Sequence, residues 1–159
     1  MPAARTLELP MRIEGSYAIN ASAERVWDVL LDPEALKACI PGVQSVTETG
    51  ENAWKIVLTV GIAAFKGTYE GDVRISDADP PRAYDIHVEG KGRPGWVRGV
   101  GHIELVPNES NSQTEVKVAG EATLGGPVFA IGSRFAAPAA KLLMGQFFGA
   151  MKERVERGA

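Results

Sequence analysis

The sequence predicts an α+β domain in which one curved, seven-stranded antiparallel sheet wraps a long C-terminal helix. Three observations predict it. Residues from Val43 to Leu124 read as six successive strands separated by turn residues. An apolar alternation of Met11, Ile13, Tyr17 and Ile19 supplies a seventh strand ahead of them. Residues 127–158 then carry a wide helical apolar face. Placing that face against the concave side of the sheet buries both apolar surfaces at once.

Taken in order, residues 1–10 form a loose leader and residues 11–159 the domain. After the first strand the period changes. Ser22 is suited to cap a helix whose stripe is Ala23, Val26 and Leu30, with Trp27 beside it and Glu24 in the favourable first turn. Asp32-Pro33 starts a second short helix, because aspartate caps and proline fits the first helical position, and Pro41-Gly42 ends it. The six strands fall at about 43–49, 53–62, 65–76, 83–91, 96–106 and 113–124. A two-residue turn at Ala63-Ala64 sets Lys55 opposite Asp72, Trp54 opposite Val73 and Leu58 opposite Tyr69. A turn at Arg93-Pro94 sets Glu89 opposite Arg98 and Asp85 opposite His102 on one face, with Tyr84 opposite Ile103 on the other. In the tail, Pro138 is expected to divide a short helix from one of about 20 residues. The longer piece presents Leu142, Leu143, Phe147, Ala150 and Met151 on its apolar face.

Composition excludes several classes. The single cysteine, Cys39, rules out an intrachain disulfide framework and a cysteine-cluster metal site, and its place beside Ile40 suits buried packing. Two histidines leave no common zinc ligand set without carboxylates. A net charge of −3 offers no general attraction to nucleic acid. The N-terminus lacks an apolar core of signal-peptide length, so a cytoplasmic location is expected.

The unusual residue is glycine, with 18 among 159 residues. The registers place Gly15, Gly67, Gly71, Gly90, Gly99, Gly101 and Gly120 on the inner face, and a hairpin centred between Ser110 and Asn111 sets Gly101 against Gly120. Such a face either bends the sheet and admits the helix closely, or leaves a cavity because side chains are missing. The number of glycines favours some enclosed volume, with Tyr17, Tyr69 and Tyr84 as its few polar groups.

No catalytic motif appears, and neither a catalytic set nor a metal site is expected. Gly125-Gly126-Pro127 and Gly99-Val100-Gly101 lack the strand–turn–helix context of a nucleotide site. Ser22 and Ser133 read as a cap and a helix residue, and parity turns His87, His102, Asp72, Asp85 and Glu89 outward. Arg134, between Ile131 and Phe135, either snorkels at the domain edge or guards a cavity mouth, where it would hold a ligand oxygen. Gly145 and Gly149 flatten one side of the helix.

Several of these motifs together resemble the G-subunit family of carbon monoxide dehydrogenase, within the START-like (SRPBCC), Bet v 1-like helix-grip superfamily. They are Val26-Trp27, Leu30, Asp32-Pro33-Glu34, Ile40-Pro41-Gly42, Phe65-Lys66-Gly67, Gly125-Gly126 and the tail with Arg134 and Phe147-Phe148. The resemblance spans residues 11–157. It implies a sheet gripping the last helix around a hydrophobic cavity, whose wall would draw on Tyr17, Leu58, Tyr69, Val97, Phe135, Leu143 and Phe147.

It further implies a noncatalytic carrier of a hydrophobic, quinone-like or lipid-like ligand, with no covalent cofactor. Such a protein would be accessory to a molybdenum-containing hydroxylase of the carbon monoxide dehydrogenase type, and would contact the inner face of the membrane peripherally. The oligomeric state stays open. Longer relatives carry a hydrophobic C-terminal segment, whereas this sequence reaches Ala159 just after a charged Lys152–Arg157 turn, so anchoring by a tail is not expected. The alternatives are a small lipid- or polyketide-type enzyme of the same fold and a purely structural accessory protein.

Overall fold

The computed structural model describes residues 8–62 and 65–158, apart from the side chains of residues 8–10 and 127–134. The chain runs β1 (Glu8–Ile19), α1 (Ala23–Leu30), α2 (Pro33–Cys39), β2 (Val43–Gly50), β3 (Ala53–Val60), β4 (Gly67–Asp79), β5 (Ala83–Gly92), β6 (Gly95–Pro107), β7 (Thr114–Gly125) and α3 (Pro127–Glu156). The strands form one antiparallel sheet in the order β1-β7-β6-β5-β4-β3-β2. Consecutive hairpins make most of it, and β1 closes onto β7 across the chain.

Strand β1 starts at Glu8, ahead of the expected Met11, and pairs without a shift from Glu8↔Gly125 to Ile19↔Thr114. Pro10 is tolerated there because β1 is an edge strand and has no second neighbour to receive an N–H. The three hairpin registers read from parity are present: Lys55↔Asp72, Leu58↔Tyr69, Glu89↔Arg98, Asp85↔His102 and Gly101↔Gly120. The β3–β4 connection is wider than a two-residue turn, because the last pair is Val60↔Gly67. Ala63 and Ala64 lie outside the described residues.

Both short helices begin as their caps require. Ser22 Oγ accepts from the Arg25 backbone N–H at 3.2 Å, and Asp32 Oδ1 accepts from Glu34 N–H at 3.1 Å. The β6–β7 turn adds to the first cap. Asn111, in the left-handed region at φ 54°, accepts from Ala23 N–H at 3.0 Å and donates to Glu24 at 2.8 Å. Thr114 is fully buried beneath this corner, and its hydroxyl donates to Ala21 O at 2.9 Å.

Pro138 does not divide the C-terminal segment, which is a single helix of 30 residues. Proline removes one backbone hydrogen bond but need not end a helix. Here alanines flank it on both sides, at 136, 137, 139 and 140, and alanine has the highest helix propensity. The helix lies along β1 and also meets α1, α2, β6 and β7. Its C-terminal half anchors the core, where Phe148, Met151 and Val155 pack with Ile19, Val26 and Val116.

Candidate functional site

The sheet's inner face is filled at one end and hollow at the other. Towards the C-terminus of α3, large side chains occupy it: Tyr17 stacks on Phe148 with ring centroids 4.4 Å apart, and Trp27 meets Tyr84 edge-on at 5.4 Å. Towards the N-terminal half of α3 the helix presents Ala136, Ala139, Ala140 and Leu143 instead. Opposite them lie Leu58, Tyr69, Gly71, Val88, Gly90 and Val97 on β3 to β6. Between the two surfaces is a partly open cavity of about 280 Å³. Ile40 at the end of α2 and Phe65 in the β3–β4 connection complete the wall.

The side chains of that wall are hydrocarbon apart from the Tyr69 hydroxyl, the Trp96 indole nitrogen and the Met11 sulfur. Tyr69 Oη donates to Phe65 O at 2.9 Å, so the group's single proton is already engaged. Burial raises its ionisation above the usual tyrosine value, which keeps it neutral. At the rim, Arg98 stacks over the Trp96 ring at 5.1 Å, and Trp96 faces Gly125 across the β6–β7 ladder.

The structure brings Leu58, Tyr69, Val97 and Leu143 together on the cavity, and does not bring Tyr17, Phe135 or Phe147 there. Tyr17 and Phe147 belong to the packed half, where each touches Phe148. Phe135 is 55% exposed on the outer side of α3. The Arg134 side chain lies outside the described residues. Tyr84 is buried in the packed half, with its phenol raised far above the usual range by desolvation, so it too offers nothing to the cavity.

The glycines divide by role. Gly71 and Gly90, adjacent partners on β4 and β5, line the cavity. At Gly15 a Cβ would meet Met144 Cε at 2.9 Å, the end of a side chain that can shift. Gly120 is needed for the sheet, since a Cβ would come within 2.6 Å of Val100 O. Some of the glycines therefore serve close approach, and the alanines of α3 line the hollow beside Gly71 and Gly90. Those alanines, with Ile40 and Met11, do not follow from the sequence pattern of the sheet, whereas Phe65 shares the inward parity of Tyr69. The signal was the run Phe135-Ala-Ala-Pro-Ala-Ala, in which small residues at i and i+3 or i+4 share one helix face.

Acid–base groups gather on the opposite surface of the sheet. His102 Nδ1 pairs with Asp85 Oδ1 at 2.8 Å, and His87 Nε2 with Ser76 Oγ at 2.9 Å. The His102 contact holds the Asp85 carboxyl below the usual carboxylate range. None of these side chains lines the cavity. Among the described residues no group of three His, Cys, Asp or Glu side chains could hold a metal ion, and no helix is long and apolar enough to cross a membrane. Cys39 is buried, and desolvation raises its thiol above the usual value.

A curved antiparallel sheet gripping a C-terminal helix, with an apolar hollow between them, defines the helix-grip class of START-like, Bet v 1-like proteins. Within that class this chain belongs to the CoxG family, the G-subunit family of carbon monoxide dehydrogenase, whose model matches residues 15–156. A conserved protein from Geobacillus kaustophilus is similar at 36% identity, with 92% of this chain and 96% of that one covered and a TM-score of 0.88. At the level of fold alone, a START superfamily protein from Mycobacterium smegmatis aligns at 13% identity and TM-score 0.71, over 93% of this chain and 99% of that one. An aromatase/cyclase from Streptomyces sp. R1128 aligns at 17% identity and TM-score 0.67, over 93% of this chain and 94% of that one. A comparison with curated proteins gives no match. Family and fold are consistent with a general ligand-binding or accessory role.

Proposed function

We propose that this protein is a noncatalytic carrier of a hydrophobic small molecule, accessory to a molybdenum-containing hydroxylase of the carbon monoxide dehydrogenase type. The observation that carries the reading is the cavity wall: about 280 Å³ bounded by aliphatic side chains, glycines and three aromatic rings. Such a surface gains by excluding water from hydrocarbon, at about 25 cal/mol per Å² buried. It presents no carboxylate or imidazole to a substrate, which supports binding rather than turnover. Membership of the CoxG family supports the accessory role.

A quinone-like ligand fits this reading through its hydrocarbon part. Its carbonyl oxygens need donors; the Tyr69 proton is engaged by Phe65 O, which leaves the Trp96 indole N–H as the side-chain donor among the lining residues. The cytoplasmic location and a peripheral contact with the inner membrane face are part of the same proposal. Organic extraction of the purified protein with mass analysis, and titration with quinones and fatty acids, test it. A co-extracted hydrophobic molecule, or saturable binding with one ligand per chain, is expected. A chain that yields no ligand and binds none of either class would instead be a structural accessory protein.

A further inference from the structure

The surroundings of the cavity carry a second chemical preference, distinct from its apolar wall. Two hairpins meet at one end of it. Gly67, at the start of β4, and Pro94, in the β5–β6 turn, are so close that a Cβ on Gly67 would lie 2.9 Å from Pro94 Cγ. The residues next to these two in the chain are Lys66 and Arg93, both exposed. Each also adjoins the wall: Lys66 follows Phe65, and Arg93 follows Gly92, which pairs with Tyr69.

Neither cation makes an ion pair among the described residues. The nearest carboxylate along β4, Glu70, is bonded to Lys55 at 3.1 Å and lies opposite Lys91. In the described parts of the connections at this end (40–42, 61–62, 65–66, 92–95 and 125–126) there is no acidic residue, and the acidic position beside them is Glu8, opposite Gly125 at the start of β1. The opposite end is acidic, with Glu51, Asp77, Asp79, Glu109 and Glu24 in or beside its turns. A chain with net charge −3 thus places unpaired positive charge beside its apolar hollow.

We infer that the cavity takes a single-chain amphiphile with an anionic head, the hydrocarbon inside and the head held electrostatically by Lys66 and Arg93. This rests on the carrier reading above and narrows its ligand class. The lining residues carry no charged group, so an ionised head inside would lose its hydration without a counter-charge; it stays at the rim, and the charge there selects its sign. The volume suits a short chain.

The test compares decanoate with decanol, ligands of equal chain length that differ in head charge, by calorimetric titration below their aggregation concentrations. Decanoate should bind more tightly by about three- to tenfold at low salt, as expected for two exposed charge contacts. The advantage should shrink as ionic strength rises. In Lys66→Gln/Arg93→Gln the two affinities should converge, with decanol binding unchanged as the control for an intact cavity. Equal affinities in the unaltered protein, or a preference that survives the double substitution, would overturn the inference and leave the carrier reading standing. Failure of both ligands to bind would overturn the two together.

Discussion

Asn111 shows how much one turn residue can do. Its left-handed backbone aims the side chain at the start of α1, where it meets the Ala23 N–H and the Glu24 carboxylate. Asn111→Ala removes a helix cap and leaves a residue without a hydrogen-bonding side chain at positive φ, so a loss of about 1–2 kcal/mol is expected by denaturant titration. The same contact has a pH signature. The Asn111 bond holds Glu24 below its ordinary value of 4.5, and the Lys152 bond does the same for Glu156. A carboxyl depressed in the folded state stabilises it above that ordinary value, and the contribution is lost as pH falls through the folded-state value. Stability should therefore decline below about pH 4.5, and the decline should be shallower in Asn111→Ala. A profile identical in the two proteins would contradict the assignment.

Elements show where the sequence was legible. Strand registers could be read because a period of two admits one solution once one face is buried: shifting Lys55 from Asp72 by one residue would turn Trp54 and Ile56 outward. The two short helices were legible from Ser22 and Asp32. The uninterrupted α3 was not, because the effect of Pro138 depends on the alanines around it. The cavity was legible only in part. Leu58, Tyr69 and Val97 follow from sheet parity, but which turn of α3 faces them is set by how the helix lies across the sheet. Tyr17, Phe135 and Phe147 were misplaced on that account.

The two halves of α3 should respond differently to substitution. Ala140→Leu fills part of an existing hollow, so stability should change by less than about 1.5 kcal/mol while affinity for a hydrophobic ligand falls at least tenfold. Met151→Ala opens a void where the residue is fully buried, and should cost about 2–5 kcal/mol with ligand affinity unchanged while folded. Thermal melts and ligand titration of both variants separate these outcomes.

At the scale of the whole molecule, the inner face combines a consolidated end with an unfilled one. The end rich in Phe148, Met151, Val116 and Ile19 supplies cohesion. The end lined by Ala136, Ala139, Gly71 and Gly90 forgoes contacts that larger side chains would make. Because α3 runs through both, the packed half fixes the position of the helix over the hollow. A ligand that fills the hollow should therefore raise the melting temperature in proportion to the logarithm of its concentration above Kd.

The hydrogen bond from Tyr69 to Phe65 has one more consequence. With that proton committed and no charged group on the wall, the interior has little means of telling one functional group from another. What it can measure is length. Across a homologous series of alkyl ligands each added methylene should contribute about 0.8 kcal/mol, close to fourfold in affinity, until the chain reaches the far wall. Beyond that length the gain should stop abruptly. The protein would then behave as a ruler, and the chain length at the break would report the depth of the hollow.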